Sequence, residues 1–177
     1  MNLKEAKILT AYFSRAGNNY VSGEIVSLPL GNTEVVAKMI QKITGCDLFK
    51  IEAVKPYPKD YHETTNMAQK EQEDNARPEL TAHVENMDTY DVIILGYPNW
   101  YGTVPMAVFT FLEEYVFPGV TILPFCTHEG SGMGRSESDI KKICPNANVL
   151  NGLPIRGSGV QGAEKAVSKW LEKSGIL

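Results

Sequence analysis

Two polar clusters near the start of the chain, Ser14-Arg15-Ala16-Gly17-Asn18-Asn19 and Gly31-Asn32-Thr33-Glu34, have the residue types that hold an anion. The first follows an apolar, β-rich run (AKILTAYF, 6–13), and the second opens a helix-like stretch (VVAKMIQKIT). Between a buried strand and a helix N-terminus, backbone N–H groups are unpaired and the helix dipole favours negative charge. Ser14 and Thr33 add hydroxyl donors, and Asn18, Asn19 and Asn32 add amides; Arg15 either adds charge or faces solvent. A phosphate is the expected guest. No GxxxxGKS or GxxxxGKT segment occurs, which disfavours a nucleoside triphosphate with Mg²⁺. The competing reading of this stretch is an ordinary capped turn with a hairpin insert.

A second group, Pro98-Asn99-Trp100-Tyr101-Gly102-Thr103, puts two adjacent aromatics directly after the most apolar run of the chain. There they are poorly placed for a core and well placed to lie against a flat ring; alternatively one of them caps the core. A third group, Thr127-His128-Glu129-Gly130-Ser131-Gly132, is glycine-rich, so its backbone can approach a ligand closely and its N–H groups can read a flat heterocycle. His128 and Glu129 are titratable and able to move protons, unless this is a flexible loop whose two side chains face water.

These groups need elements to position them. Strand signals fall at 6–13, 46–52, 90–97, 120–126 and 148–155, the fourth weakened by Pro124. Helix signals fall at Thr33–Thr44, with Asn32 as N-cap and Gly45 as C′ residue, and at Pro105–Tyr115, Glu137–Ile143 (capped by Ser136 or Ser138) and Gln161–Lys173. In the last of these, Ala163, Ala166, Val167, Trp170 and Leu171 share a helical spacing. Asp60–Asn75 is polar with weak apolar periodicity and reads as a solvated helix, though the segment 60–76, like the insert at 19–30, could instead cover a bound ligand or contact a partner. The pieces YVS and EIVSL, flanking Gly23, read as a small hairpin inserted at about 19–30. Alternating strands and helices imply a parallel sheet covered on both faces, with ligands beyond the carboxyl ends of its strands. The loops 14–33, 98–103 and 127–134 all lie at that edge.

The whole sequence narrows the field. Its 177 residues are read as one domain, 1–177. A net charge of −4 without a Lys/Arg cluster argues against nucleic acid. Cys46, Cys126 and Cys144 are too few and too scattered for a disulfide framework or a metal site, which fits a reducing cytoplasm. No apolar run approaches the roughly 20 residues of a membrane span, and the N-terminus has no secretory signature.

A phosphate loop, an aromatic loop and a glycine-rich loop together describe a mononucleotide with a flat ring, and here the sequence resembles the flavodoxin-like family of FMN proteins. The family's first loop follows the pattern Ser/Thr-x-Thr-Gly-Asn-Thr. Ser14 to Asn19 starts that match, with Ala16 and Asn19 as departures, and Gly31-Asn32-Thr33-Glu34 resembles its second half, displaced by the insert. The resemblance implies a flavodoxin-like, doubly wound, five-stranded parallel sheet with helices on both faces. It implies FMN contacts from Ser14, Arg15, Ala16, Asn19, Asn32 and Thr33. Further contacts are implied from Pro98, Asn99, Trp100, Tyr101 and Gly102, and from Thr127, His128, Glu129, Gly130 and Gly132. The backbone around Trp100-Tyr101-Gly102 is the candidate neighbour of flavin N5, with Gly102 allowing a peptide to reorient. No catalytic residue of the protein's own and no metal are expected. The implied function is electron transfer through bound flavin, to a redox partner protein or a small-molecule acceptor, by a monomer or homodimer. An FMN-dependent NAD(P)H quinone or small-molecule reductase is the alternative, and a flavin-free interaction module the second alternative.

Two motifs are decoys. Gly157-Ser158-Gly159-Val160-Gln161-Gly162 matches GxGxxG, but a dinucleotide site needs a further strand bearing an acid, and the chain after Gly162 reads as one helix. Cys126 stands at a strand end like a phosphatase thiolate, but no arginine follows closely enough to bind phosphate; it reads as a buried thiol.

Overall fold

The uninterrupted apolar run around residue 94 lies at the centre of the molecule, as a strand with no polar side must. The computed structural model describes residues 3–177. Its strands are β1 (Ile8–Tyr12), β2 (Gly17–Val21), β3 (Glu24–Leu28), β4 (Asp47–Lys50), β5 (Val92–Pro98), β6 (Thr121–His128), β7 (Asn148–Val149) and β8 (Leu153–Arg156). Its helices are α1 (Asn32–Thr44), α2 (Tyr61–Glu73), α3 (Met106–Glu113), α4 (Ser136–Ile143) and α5 (Glu164–Lys173). The main sheet runs β4-β1-β5-β6-β7, with β8 also paired to β6, and all its pairs are parallel. By position this is the 2-1-3-4-5 order of the flavodoxin-like doubly wound sheet, which reverses between β1 and β5.

The two faces of the sheet carry separate cores. One packs Phe13, Leu95 and Tyr97 against Ala107, Phe111 and Leu112 of α3 and Ile140 of α4. The other packs Tyr12, Ile94 and Phe125 against Val36 and Ile40 of α1 and Val167, Trp170 and Leu171 of α5. Ala166, expected on that face of α5, is exposed. Among the described residues, no helix is long and apolar enough to cross a membrane. The three cysteines are buried and unpaired.

Four expectations about the elements change. The strand expected at 148–155 is two short strands sharing the last sheet position, giving the main sheet six strands among the described residues. Pro124 explains the break. Ile122 O accepts from Leu150 N, and its alternate neighbour Pro124 faces the same edge with no N–H to offer. α1 has Gly31, not Asn32, at its N-cap, and α4 has Arg135 there, with neither Ser136 nor Ser138 capping it. The closing helix starts at Glu164, because Gly157–Gly162 forms a 3₁₀ turn first. The GxGxxG match sits in that turn.

Candidate functional site

The carboxyl ends of β1, β5, β6 and β8 open on one cavity of about 280 Å³. Of the residues singled out by sequence, Ser14, Arg15, Asn19, Asn32, Thr33, Pro98, Asn99, Trp100, Tyr101, Thr127, His128 and Glu129 line it. Ala16, Gly102, Gly130 and Gly132 do not.

The two halves of the first loop meet at Gly31. A Cβ there would stand 2.2 Å from Ser14 Oγ and 2.7 Å from the Arg15 carbonyl, so only glycine lets them touch. Gly31 has no side chain to cap α1, and Ser14 does it instead, its Oγ accepting the Glu34 N–H at 3.1 Å. Glu34, in the first turn of α1, is balanced by Lys38 and Lys50, each at 3.4 Å. The Thr33 hydroxyl is buried and bonded to that of Thr127 at 2.8 Å, which joins the first and third loops.

Arg15 lines the cavity but neither points freely into solvent nor aims its donors at the cavity. Its guanidinium is spent on carbonyls: it donates to Pro58 O and Lys59 O at 2.8 and 2.7 Å, and also to Asn18 O. It therefore braces the loop with N–H groups turned to neutral carbonyls, which leave its positive charge in place, and burial depresses its pKa. Asn19 likewise uses its amide locally, donating to Arg15 O and Gly17 O.

The second loop is a two-residue turn. Trp100 and Thr103 exchange backbone hydrogen bonds, and Tyr101 and Gly102 both have positive φ, 52° and 85°. Such a turn tolerates glycine easily and tyrosine only with strain. Surrounding groups hold it. Gly102 N donates to Asn99 Oδ1 at 2.9 Å, Gly102 O accepts from Arg135 N at 2.7 Å, and Tyr101 O accepts from Gln72 Nε2 at 3.3 Å. The expected freedom of the peptide at Gly102 is thus opposed by bonds on both its sides. The aromatics divide the work: Trp100 is wedged edge-on between Phe13 and Tyr57, with centroids 5.1 and 5.0 Å away, while Tyr101 is 44% exposed at the cavity mouth.

The third loop also differs from expectation. Its glycines do not line the cavity: Gly132 O accepts from Asn99 Nδ2, and the Gly130 N–H donates to His128 Nδ1 at 2.9 Å, so that N–H is not available to read a ring. His128 is a pinned acceptor in its neutral form, and burial, aided by Arg156 and opposed by Glu129, lowers its pKa from the ordinary 6.5. The Glu129 carboxylate accepts from Ser158 N at 2.9 Å and Ser22 N at 3.3 Å, and so is neither free nor simply in water. Cys126 is a buried thiol whose pKa burial pushes up to about 12, the opposite of an activated nucleophile.

Sequence reading missed Tyr20, Tyr61, Thr64, Thr65, Ala68 and Gly157, which also line the cavity. Tyr61, Thr64, Thr65 and Ala68 fall at i, i+3, i+4 and i+7, one face of α2. The helix taken as solvated therefore forms a cavity wall, and a search for hydroxyl and aromatic residues at helical spacing would have found it. Gly157 belongs to the GxGxxG decoy; it lies against Asn32 and Glu129, where a Cβ would come within 2.5 Å of Asn32 Nδ2.

Comparison with known proteins gives a consistent picture. A family model described as Flavodoxin matches residues 7–174. A solved structure from Bacteroides eggerthii, provisionally described as a flavoprotein, is 31% identical with a TM-score of 0.78, covering 96% of this chain and 98% of that one. A similarly described protein from Bacteroides uniformis is 24% identical with a TM-score of 0.72, covering 92% and 98%. A flavoprotein from Lactobacillus acidophilus, solved in complex with FMN, is 21% identical with a TM-score of 0.64, covering 93% and 98%. No curated protein matches.

Proposed function

The chain belongs to the flavodoxin family, whose cofactor is FMN, and from that premise we propose that it binds FMN in the cavity at the strand ends and transfers electrons through it. One observation carries the reading: neutral hydroxyl and amide donors at the N-terminus of α1 and the aromatic rings of the second loop open on the same cavity. That donor set fits a phosphate monoester joined to a flat ring. Ser14, Asn32 and Thr33 would hold the phosphate together with the N–H groups of the first turn of α1. With Arg15 turned to carbonyls, hydroxyls, an amide and the helix dipole would balance its charge in place of a salt bridge. Trp100, fixed by Phe13 and Tyr57, would give the ring a rigid wall, and Tyr61 and Tyr101 a second, wetter one. When bound, FMN supplies reversible one- and two-electron transfer. The chain's own part is to bind and orient it and to keep water from the ring. The buried, unpaired thiols support a reducing cytoplasm as its setting.

A second reading, an FMN-dependent NAD(P)H reductase of quinones or other small molecules, is favoured by the mouth of the cavity, where Tyr20 and Tyr101 are each 44% exposed and able to meet a flat guest. One titration tests both. FMN is added to the pure protein, its visible spectrum is recorded, and the complex is reduced stepwise with dithionite or with NAD(P)H. Reduction by dithionite alone supports electron transfer to a partner; bleaching by NAD(P)H with turnover of a quinone supports the reductase. A protein that stays colourless with excess FMN overturns both and favours an interaction module.

A further inference from the structure

The β2–β3 hairpin stands outside the main sheet: among the described residues its two strands pair with each other and with no other strand. It nevertheless supplies Asn19 and Tyr20 to the cavity wall, so any movement of the hairpin reshapes the cavity.

Its attachments are unequal. The base is held by several bonds. Asn18 N donates to Lys59 O at 3.3 Å, and the Arg15 guanidinium ties Asn18 O to the carbonyls of Pro58 and Lys59. Midway, the Tyr20 ring stacks on Tyr61 of α2, with centroids 6.3 Å apart and planes at 30°. The tip, Ser22-Gly23, turns with both residues at positive φ and, among the described residues, is tied beyond the hairpin by one bond, Ser22 N to Glu129 Oε2 at 3.3 Å. The other oxygen of Glu129 accepts from Ser158 N at 2.9 Å, in the turn after β8. A single carboxylate therefore joins the hairpin tip to a part of the wall built from the other end of the chain. Gly157 makes room for it, since a Cβ there would lie 2.7 Å from Glu129 Oε1.

A firm base, a weak tip and a cavity beneath are the parts of a hinged cover. We propose that the β2–β3 hairpin is that cover and that Glu129 is its latch: a positioning residue that acts through the Ser22 and Ser158 amides and not by touching a reacting atom. The ligand enters and leaves when the Ser22–Glu129 bond opens, the Tyr20–Tyr61 stack parts and the hairpin swings about its base at Asn18 and Lys59. The ligand part of this inference rests on the flavin reading above; the latch itself does not.

The test has two arms, both on the full chain. The first is amide hydrogen exchange without FMN in the parent, E129A and E129Q. Exchange of the Ser22 amide should rise about tenfold in E129A, the factor expected from losing one charge-assisted hydrogen bond, with the β2–β3 ladder amides and 93–95 in β5 unchanged. E129Q keeps one acceptor oxygen and should lie between, and it carries the test if E129A fails to fold. Unchanged exchange of the Ser22 amide overturns the latch. The second arm is stopped-flow binding of FMN, in which association and dissociation should both quicken in E129A. Faster exchange with unchanged FMN rates overturns the cover. A parent that takes up no FMN overturns the proposed function, while the exchange arm still decides the latch.

Discussion

Ser14 Oγ accepts the backbone N–H of Glu34 across twenty residues of chain. One hydroxyl thereby caps α1 and ties the end of β1 to the first turn of the helix. Ser14→Ala should cost about 1 kcal/mol of stability, as loss of a helix N-cap does, read as a lower melting temperature without FMN. It should also weaken FMN binding, because the two halves of the loop lose their bond. A variant that melts and binds like the parent would show that the cap does not organise the site.

Thr33 is tested separately, because its hydroxyl bonds to Thr127 and not to Ser14. Thr33→Ala leaves the buried Thr127 hydroxyl without that partner, at a cost of about 1–3 kcal/mol. If Ser14 and Thr33 share one phosphate, the variant should bind FMN at least tenfold more weakly, by roughly 1.4 kcal/mol or more, while its affinity for riboflavin, which has no phosphate, changes less. Equal losses for the two ligands, or no loss for FMN, would sink the shared-phosphate picture.

How much of this was legible in the sequence follows from what each residue answers to. The strand ends and their loops are legible because a run such as VIIL, buried on both faces, declares itself locally, and the residues after it must emerge at the sheet edge. The α2 wall is legible only by a different rule: Tyr61, Thr64, Thr65 and Ala68 face a cavity and carry no apolar stripe, so hydroxyl and aromatic residues at helical spacing are its one signal. The role of Arg15 is set by carbonyls more than forty residues away, and that of Glu129 by two amides from opposite ends of the chain; no local pattern encodes either. The split between β7 and β8 has a signal, Pro124, but on the neighbouring strand.

His128 predicts a pH dependence with a definite sign. Its folded pKa lies below the unfolded value near 6.5, so the unfolded chain takes up the proton more readily. The stability contributed by the neutral ring, with Nδ1 accepting from Gly130, is fully present above about pH 6.5 and is lost as pH falls through the lower, folded pKa. Melting temperatures of the parent and His128→Gln should therefore keep a constant offset from pH 8 to 7. Below about pH 6.5 the parent should lose stability faster than the variant. Parallel curves down to pH 5 would remove His128 from the account.

Asn99 holds two loops at once, accepting from Gly102 N through Oδ1 and donating to Gly132 O through Nδ2, each at 2.9 Å. With Gly102 O on Arg135 N and Tyr101 O on Gln72, the 101–102 peptide has little freedom to turn. Asn99→Ala removes the support from the N–H side and leaves that donor without its partner, at about 1–2 kcal/mol. If this peptide borders the reactive edge of the bound flavin, its release should shift the midpoint potential of the complex, measured by redox titration against a reference dye. Gln72→Ala, which weakens only one of the contacts to Tyr101 O, should shift it less. A loss of stability with an unchanged potential in both variants would mean that the turn is a structural brace and that the potential is set elsewhere in the cavity.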